Sequence, residues 1–186
     1  MRYFALLFWA ALVPGALVAQ TGCPANVKAI PLHTLNQHQM VLSVSINHSG
    51  PYDFLLDTGT QMTVVDTSLA ADLHLKTTGN ATVAGVSFHG AAMYSRLDSL
   101  EVGDHAATNQ GVVVYDMKNL QGAGFAIRGL LGEDFLSGYD VLIDKAHSVL
   151  CIDDTGVMLE GLKDKNTAPV HPTGGAGTQS RVEAAP

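Results

Sequence analysis

The fold is decided by the stretch Phe54-Leu55-Leu56-Asp57-Thr58-Gly59-Thr60-Gln61-Met62-Thr63-Val64-Val65. An apolar run leads into the Asp-Thr-Gly tripeptide, and a second run, rich in β-branched residues, leaves it. Short runs of this composition that are bounded by turn residues predict β-strands. The sequence therefore places the carboxylate of Asp57 on a tight turn between two buried strands.

This turn contains residue types that suit a working carboxylate. Gly59 permits a backbone turn that a Cβ would obstruct, and the hydroxyl of Thr58 can both donate and accept a hydrogen bond. A buried carboxylate is costly unless it is hydrogen-bonded or neutralised, so Asp57 is the first candidate for a catalytic residue. The alternative interpretation is a turn-capping aspartate, for which Asp-Thr-Gly is equally suitable.

A second segment, Gly129-Leu130-Leu131-Gly132, lies well downstream and precedes a short predicted helix that begins at Glu133. In this order the two segments resemble the paired motifs of the retropepsin-like aspartic peptidases, whose chains have a single catalytic motif. The resemblance covers most of the region from Val41 to Ile152. It implies a closed retropepsin-like β-barrel or sandwich with one or two short helices, and many short predicted strands independently indicate an all-β fold.

The resemblance also assigns roles to individual residues. It implies that Asp57 is catalytic, that Thr58 bonds across a dimer interface, and that Gly59 keeps the loop open to substrate. Thr60 stands where the family has Ala, Ser or Thr. Gln61 is a departure, because the family more often has a Ser or Asp there that helps to orient the catalytic group.

The second segment has a supporting role by the same resemblance. Gly129, Leu130, Leu131 and Gly132 are expected to pass beside the catalytic turn and hold it. Arg128 is another departure, since an acidic or small residue is more usual at its position. A mobile hairpin, the flap, is expected between Thr77 and Ala92, and no residue is assigned to its tip.

Catalysis of this kind requires two carboxylates that lie a few ångströms apart and share one proton. One of them then activates water as a general base while the other donates a proton toward the carbonyl oxygen. Asp154-Thr155-Gly156 is a second copy of the tripeptide, but too little chain follows it for a second lobe, and we interpret it as a turn. The second carboxylate is therefore expected from Asp57 of another subunit, across the two-fold axis of a homodimer.

Composition limits the possible functions. The chain has 186 residues, of which 47% are hydrophobic, and a formal net charge of −7. These values fit one domain with a substantial core, and without a basic patch a nucleic-acid partner is not expected. The eight histidines lack metal-ligand spacing, so neither a metal nor another cofactor is predicted.

The N-terminus resembles a secretory signal peptide over residues 1–19, with an uncleaved membrane anchor as the alternative. Residues 20–162 then form the protease domain, and residues 163–186 a polar tail predicted to be disordered. The two cysteines, Cys23 and Cys151, could pair in an oxidising compartment or remain independent thiols, and the sequence leaves both possibilities open.

These observations predict a secreted or periplasmic aspartic endopeptidase that cleaves a peptide or protein substrate bound as an extended strand. One alternative is a catalytically weak or silent peptide-binding module, which only Gln61 favours. The other is a structural β-domain that an uncleaved N-terminus tethers at the cell envelope.

Overall fold

A computed structural model describes residues 22–24, 27–35, 38–84, 89–118, 126–163 and 181–184 of the chain. Most of these residues lie in β-strands, which confirms the all-β prediction. The strands are β1 (Ala29–Pro31), β2 (His33–Leu35), β3 (Gln39–Ile46), β4 (Ser49–Leu56), β5 (Val64–Asp66), β6 (Thr77–Ala84), β7 (His89–Val102), β8 (His105–Tyr115), β9 (Gly129–Leu131), β10 (Asp140–Asp144), β11 (Val149–Asp153) and β12 (Arg181–Ala184). The helices are α1 (Thr67–Asp72), α2 (Glu133–Leu136) and α3 (Val157–Lys163). The sequence analysis did not predict α3.

The larger sheet has nine strands in the order β12-β6-β7-β8-β5-β9-β4-β3-β2. It curls so that β7 also pairs with β3, through Ser45 opposite Glu101 and Ile46 opposite Leu100. This pairing closes a barrel from β3, β4, β9, β5, β8 and β7. The closed barrel predicted from the sequence is thereby confirmed.

The strands around the candidate site are buried on both faces. In β4, Phe54 and Leu56 pack into one core cluster, while Leu55 packs into a second cluster on the other face. In β9, Leu131 enters the first cluster and Leu130 the second. Burial on both faces explains why these segments are continuous apolar runs and do not alternate with polar residues.

A smaller sheet has the strand order β1-β11-β10 and packs on the outside of the first core cluster. A disulfide joins Cys23, near the start of the described chain, to Cys151 in β11, with a Cα–Cα distance of 5.6 Å. Met158 of α3 packs against the two cysteines. The structure therefore favours paired cysteines, one of the two possibilities that the sequence left open.

Strands β6 and β7 form the hairpin that was predicted between Thr77 and Ala92, with Ala84 opposite His89 at its end. The tip of this hairpin, residues 85–88, and the predicted signal peptide lie outside the described residues. Of the predicted tail, the structure describes Lys163, which ends α3, and Arg181–Ala184, which pair with β6. Among the described helices, none is long and apolar enough to cross a membrane.

Candidate active site

Strand β4 delivers Asp57 to the end of the barrel. Leu55 and Leu56 pair in parallel with Leu130 and Leu131 of β9. The ladder continues one step beyond the strand, because the Asp57 N–H donates to the Leu131 carbonyl at 3.1 Å. The backbone of the candidate catalytic residue is therefore fixed by the second predicted segment.

The turn after Asp57 fixes the orientation of its carboxylate. Gly59 N–H donates to Oδ1 at 2.9 Å, and the hydroxyl of Thr60 donates to Oδ2 at 2.8 Å. Thr60 is only 1% exposed, so its hydroxyl has little access to water as an alternative partner. Both carboxylate oxygens thus have a donor from the same turn, and Asp57 itself remains partly exposed.

Thr58 and Gly59 are exposed at the outer edge of this turn. A Cβ built on Gly59 would meet only Asp57 Oδ1, at 3.4 Å, which is close to ordinary contact. The obstruction expected for a side chain at this position is therefore not seen within the chain. The exposure of both residues leaves the turn accessible to substrate or to a second subunit.

The glycines of the second segment are required by close packing. A Cβ on Gly129 would lie 2.1 Å from Phe54 Cε1 and 2.4 Å from the Val64 carbonyl oxygen. A Cβ on Gly132 would lie 2.7 Å from the carbonyl carbon of Met62 and 2.9 Å from the carbonyl oxygen of Thr60. Gly129 thus lets β9 pass between β4 and β5, and Gly132 lets the start of α2 approach the turn.

Helix α2 docks against the same turn through its first N–H groups. Glu133 N–H donates to the Thr60 carbonyl at 2.8 Å, and Asp134 N–H donates to the Gln61 carbonyl at 3.2 Å. These N–H groups have no partner inside a helix, and here the turn supplies one. Gln61 contributes its carbonyl while its side chain is exposed, and the hydroxyl that orients the carboxylate comes from Thr60.

Two residues of the site were missed in the sequence analysis. The Oδ1 atom of Asp134 accepts from Thr63 N–H at 2.9 Å and from the Thr63 hydroxyl at 2.8 Å. Thr63 is completely buried and its hydroxyl oxygen accepts in turn from Gly132 N–H at 3.2 Å. An acidic residue in the first turn of a helix is a recognisable capping signal, but its partner in a distant segment has no sequence signature.

Arg128, the other departure from the family pattern, contacts helix α1. Its Nη2 contacts Asp72 Oδ2 of α1 at 2.7 Å. Its Nε is buried without a hydrogen-bond partner among the described residues. The residue therefore links β9 to α1 and makes no hydrogen bond with Asp57 that the structure shows.

The second Asp-Thr-Gly copy directly follows β11, a strand of the smaller sheet. Asp153, the residue before it, accepts from Thr155 N–H at 2.9 Å and from Met158 N–H at 2.7 Å, and so closes the turn into α3. The Thr155 hydroxyl is the main group that holds the pKa of Asp153 below its usual range, followed by the two N–H groups. Asp154 itself is exposed in a bend.

Within the part of the chain that the structure describes, no group of three or more His, Cys, Asp and Glu side chains could hold a metal ion. The hydrogen bonds within the turn leave an oriented, partly exposed carboxylate directly after strand β4.

Comparison with known proteins matches residues 42–135, about half of the chain, to the aspartyl protease family. No curated protein matches. Among solved structures, a retropepsin-like aspartic protease from Rickettsia conorii is 21% identical, with 68% of this chain and 91% of that chain covered and a TM-score of 0.47. The EIAV protease complexed with the inhibitor HBY-793 is 20% identical, with coverage of 56% and 92% and a TM-score of 0.41. The retroviral protease-like domain of Ddi1 from Leishmania major is 15% identical, with coverage of 62% and 92% and a TM-score of 0.41.

Proposed function

The chain belongs to the aspartyl protease family, and from this premise we propose that it is an endopeptidase whose active site combines the Asp57 carboxylates of two subunits. The observation that carries the proposal is the pair of hydrogen bonds that orients the Asp57 carboxylate. Gly59 N–H and the Thr60 hydroxyl each donate to one carboxylate oxygen, at 2.9 and 2.8 Å. Such an arrangement aims the carboxylate outward from an accessible turn.

The proposed mechanism needs a second carboxylate close to the first. Two like charges at short distance cannot both ionise, so the pair holds one proton, and its two members serve as general base and general acid. Of the two Asp-Thr-Gly copies, only the first follows a strand of the barrel, whereas the second follows a strand of the smaller sheet. A two-fold axis near Asp57 supplies the partner from a second copy of the chain.

The proposed substrate is a peptide or protein segment in extended conformation. It would lie between the Asp57 turn and the β6–β7 hairpin, with main-chain hydrogen bonds providing part of the affinity. The alternative of a silent peptide-binding module depended on Gln61 as a replacement for an orienting residue. Because Thr60 supplies the orienting hydroxyl, the endopeptidase is the better-supported function.

We further propose that the protein is secreted or periplasmic. The predicted signal peptide over residues 1–19 supports export, and the Cys23–Cys151 disulfide fits an oxidising compartment. N-terminal sequencing of the fractionated protein distinguishes export with cleavage from the tethered β-domain. An N-terminus at Gln20 is expected, whereas an intact Met1 in the membrane fraction would favour the anchor.

A peptide-library cleavage assay across acid pH tests the activity, with the mature protein, Asp57→Asn and the matched control Asp154→Asn. Wild type and Asp154→Asn should cleave, while Asp57→Asn should be inactive with an unchanged circular dichroism spectrum. Loss of activity in a folded Asp154→Asn dimer would instead indicate that both carboxylates come from one chain. Equal activity of wild type and Asp57→Asn would refute the role of Asp57.

A mixing experiment tests the shared site. Wild-type chains are mixed with increasing Asp57→Asn chains, and activity is measured after the subunits have exchanged. With random pairing, active dimers fall as the square of the wild-type fraction, because each mixed dimer has one carboxylate and one amide. A strictly linear decline, with exchange confirmed independently, would mean that each chain works alone.

A further inference from the structure

We propose that Asp134 is a positioning residue, which fixes the Asp57 turn against helix α2 and links it to strand β8. The proposal rests on the endopeptidase function proposed above, because its effect is expected in the rate of the chemical step. Asp134 lies 77 positions after Asp57 in the sequence. Its contacts connect three separate segments of the chain.

The contacts between the turn and α2 run in both directions. The Thr60 and Gln61 carbonyls accept from the N–H groups of Glu133 and Asp134. The Asp134 carboxylate then reaches back to the turn and accepts from the N–H and hydroxyl of Thr63. Because each segment supplies partners for the other, neither can shift without breaking several hydrogen bonds.

The chemistry of the site requires an acceptor at position 134. Oδ1 accepts from three donors, the third being Phe135 N–H at 3.0 Å. Oδ2 accepts from Gln110 Nε2 at 2.8 Å. Thr63 is 0% exposed, so its N–H and hydroxyl have no route to solvent if the carboxylate is removed. Buried donors that lose their acceptor carry the full desolvation penalty, which drives the turn to rearrange.

The fourth donor extends the network beyond the catalytic turn. Gln110 lies in β8, opposite Leu97 of β7. Strand β7 continues from this position into the β6–β7 hairpin, which is expected to cover the substrate. The Asp134 carboxylate thus contacts Thr63, which follows the Asp57 turn, and Gln110 of β8. Strand β8 pairs with β7, which forms one side of the β6–β7 hairpin.

Loss of this support is expected to change the rate of the reaction more than substrate binding. Thr63 follows Thr60, the donor to Asp57, by only three residues. A misplacement of about 1 Å in a catalytic constellation can reduce the rate about a hundredfold. We therefore expect Asp134→Ala to lower kcat about tenfold to a hundredfold and to change KM less than about threefold.

Asp134→Asn is the conservative variant that separates positioning from simple loss of a charge. The amide oxygen can accept the three donors of Oδ1, and the amide nitrogen faces Gln110. If the Gln110 side-chain amide turns over, its oxygen becomes the acceptor that this nitrogen needs. We expect Asp134→Asn to retain kcat within about threefold of wild type, and Asp134→Asn with Gln110→Leu to lose that rescue.

Asp153→Ala is the matched control. Asp153 likewise accepts three hydrogen bonds at the start of a helix, from Thr155 N–H, the Thr155 hydroxyl and Met158 N–H, but in the smaller sheet. Its replacement should reduce thermal stability while leaving kcat within about twofold of wild type. A general loss of stability would affect both variants alike, whereas a positioning role affects kcat only at Asp134.

Steady-state cleavage and amide hydrogen exchange over residues 57–66 form the test. Asp134→Ala should lower kcat and accelerate exchange in this segment, while Asp134→Asn and Asp153→Ala should do neither. Unchanged kcat and exchange in folded Asp134→Ala, or an equal fall of kcat in Asp153→Ala, would overturn the proposal. If wild type cleaves no peptide, the endopeptidase function fails, and the exchange comparison still decides whether Asp134 holds the turn.

Discussion

The disulfide between Cys23 and Cys151 should be the largest single contribution to the stability of this domain. The two cysteines are separated by 128 positions, so the bond closes a loop that contains most of the domain. Constraint of the unfolded chain by a loop of this length is worth about 5 kcal/mol in the chain-entropy model. For a domain of this size, that corresponds to a fall in melting temperature of about 10–20 °C on reduction.

The assay compares thermal and urea unfolding of the oxidised and the fully reduced protein at one fixed concentration. Reduction leaves both side chains in place, so it isolates the crosslink from the packing around Cys151, which is completely buried. Cys23→Ala with Cys151→Ala additionally removes the contacts with Met158 and should be less stable than the reduced wild type. A fixed concentration matters because the proposed dimer would also stabilise the folded chain.

Two results would refute this reasoning. The first is titration of two free thiols in the denatured, unreduced protein, which would show that the bond does not form. The second is equal unfolding of the oxidised and reduced forms when the bond is confirmed by mass spectrometry. The latter result would mean that the N-terminal segment around Cys23 detaches without affecting the barrel.

Three further predictions concern single side chains. Thr60→Val removes the hydroxyl that donates to Asp57 and should lower kcat/KM about tenfold. Thr60→Ser keeps a hydroxyl and should retain most activity. Equal activity of the two variants would show that the hydroxyl is dispensable. Gly132→Ala introduces a Cβ 2.7 Å from the Met62 backbone and should reduce the free energy of unfolding by about 1–3 kcal/mol. The control is Gly79→Ala, because a Cβ at this position meets no atom of the described residues within 4 Å. It should change the free energy of unfolding by less than about 1 kcal/mol in urea denaturation. The pKa of Asp153 is lower in the folded protein than in the unfolded chain. The ionised carboxylate therefore stabilises the folded protein at pH values above the unfolded pKa, and this stabilisation is lost as the pH falls through the folded pKa. The stability difference between wild type and Asp153→Asn should thus be complete at pH 6 and shrink below about pH 4, and a difference that stays constant to pH 2 would contradict it.

Much of the fold follows from local sequence patterns. The apolar runs before and after Asp57 predicted β4 and β5. Asp66, a residue type that favours helix N-termini, begins α1 by accepting from Ser68 N–H. The glycines at 129 and 132 were expected beside the catalytic turn and lie there. These features depend on residues close together in the chain or on a motif with fixed spacing.

The features that were missed depend on long-range contacts. Nothing in the residues around Asp134 indicates that its partners are Thr63 and Gln110, which are 71 and 24 positions away. Gln61 was interpreted as a departure from an orienting Ser or Asp, and the sequence did not reveal that the buried hydroxyl of Thr60 donates to the carboxylate instead. Helix α3 was missed because its capping residue, Asp153, belongs to the preceding strand.

The docking of α2 on the Asp57 turn also limits when the turn can take its final form during synthesis. The turn is complete only when residues 129–134 have reached it, and these lie late in a chain of 186 residues. A partly emerged chain, with β4 and β5 but without β9 and α2, has the carboxylate and its two donors within the turn. It lacks the Leu131 carbonyl and the N–H groups of Glu133 and Asp134, which fix the backbone of the turn. Under the function proposed above, the order of segments along the polypeptide therefore delays activity until the barrel has closed.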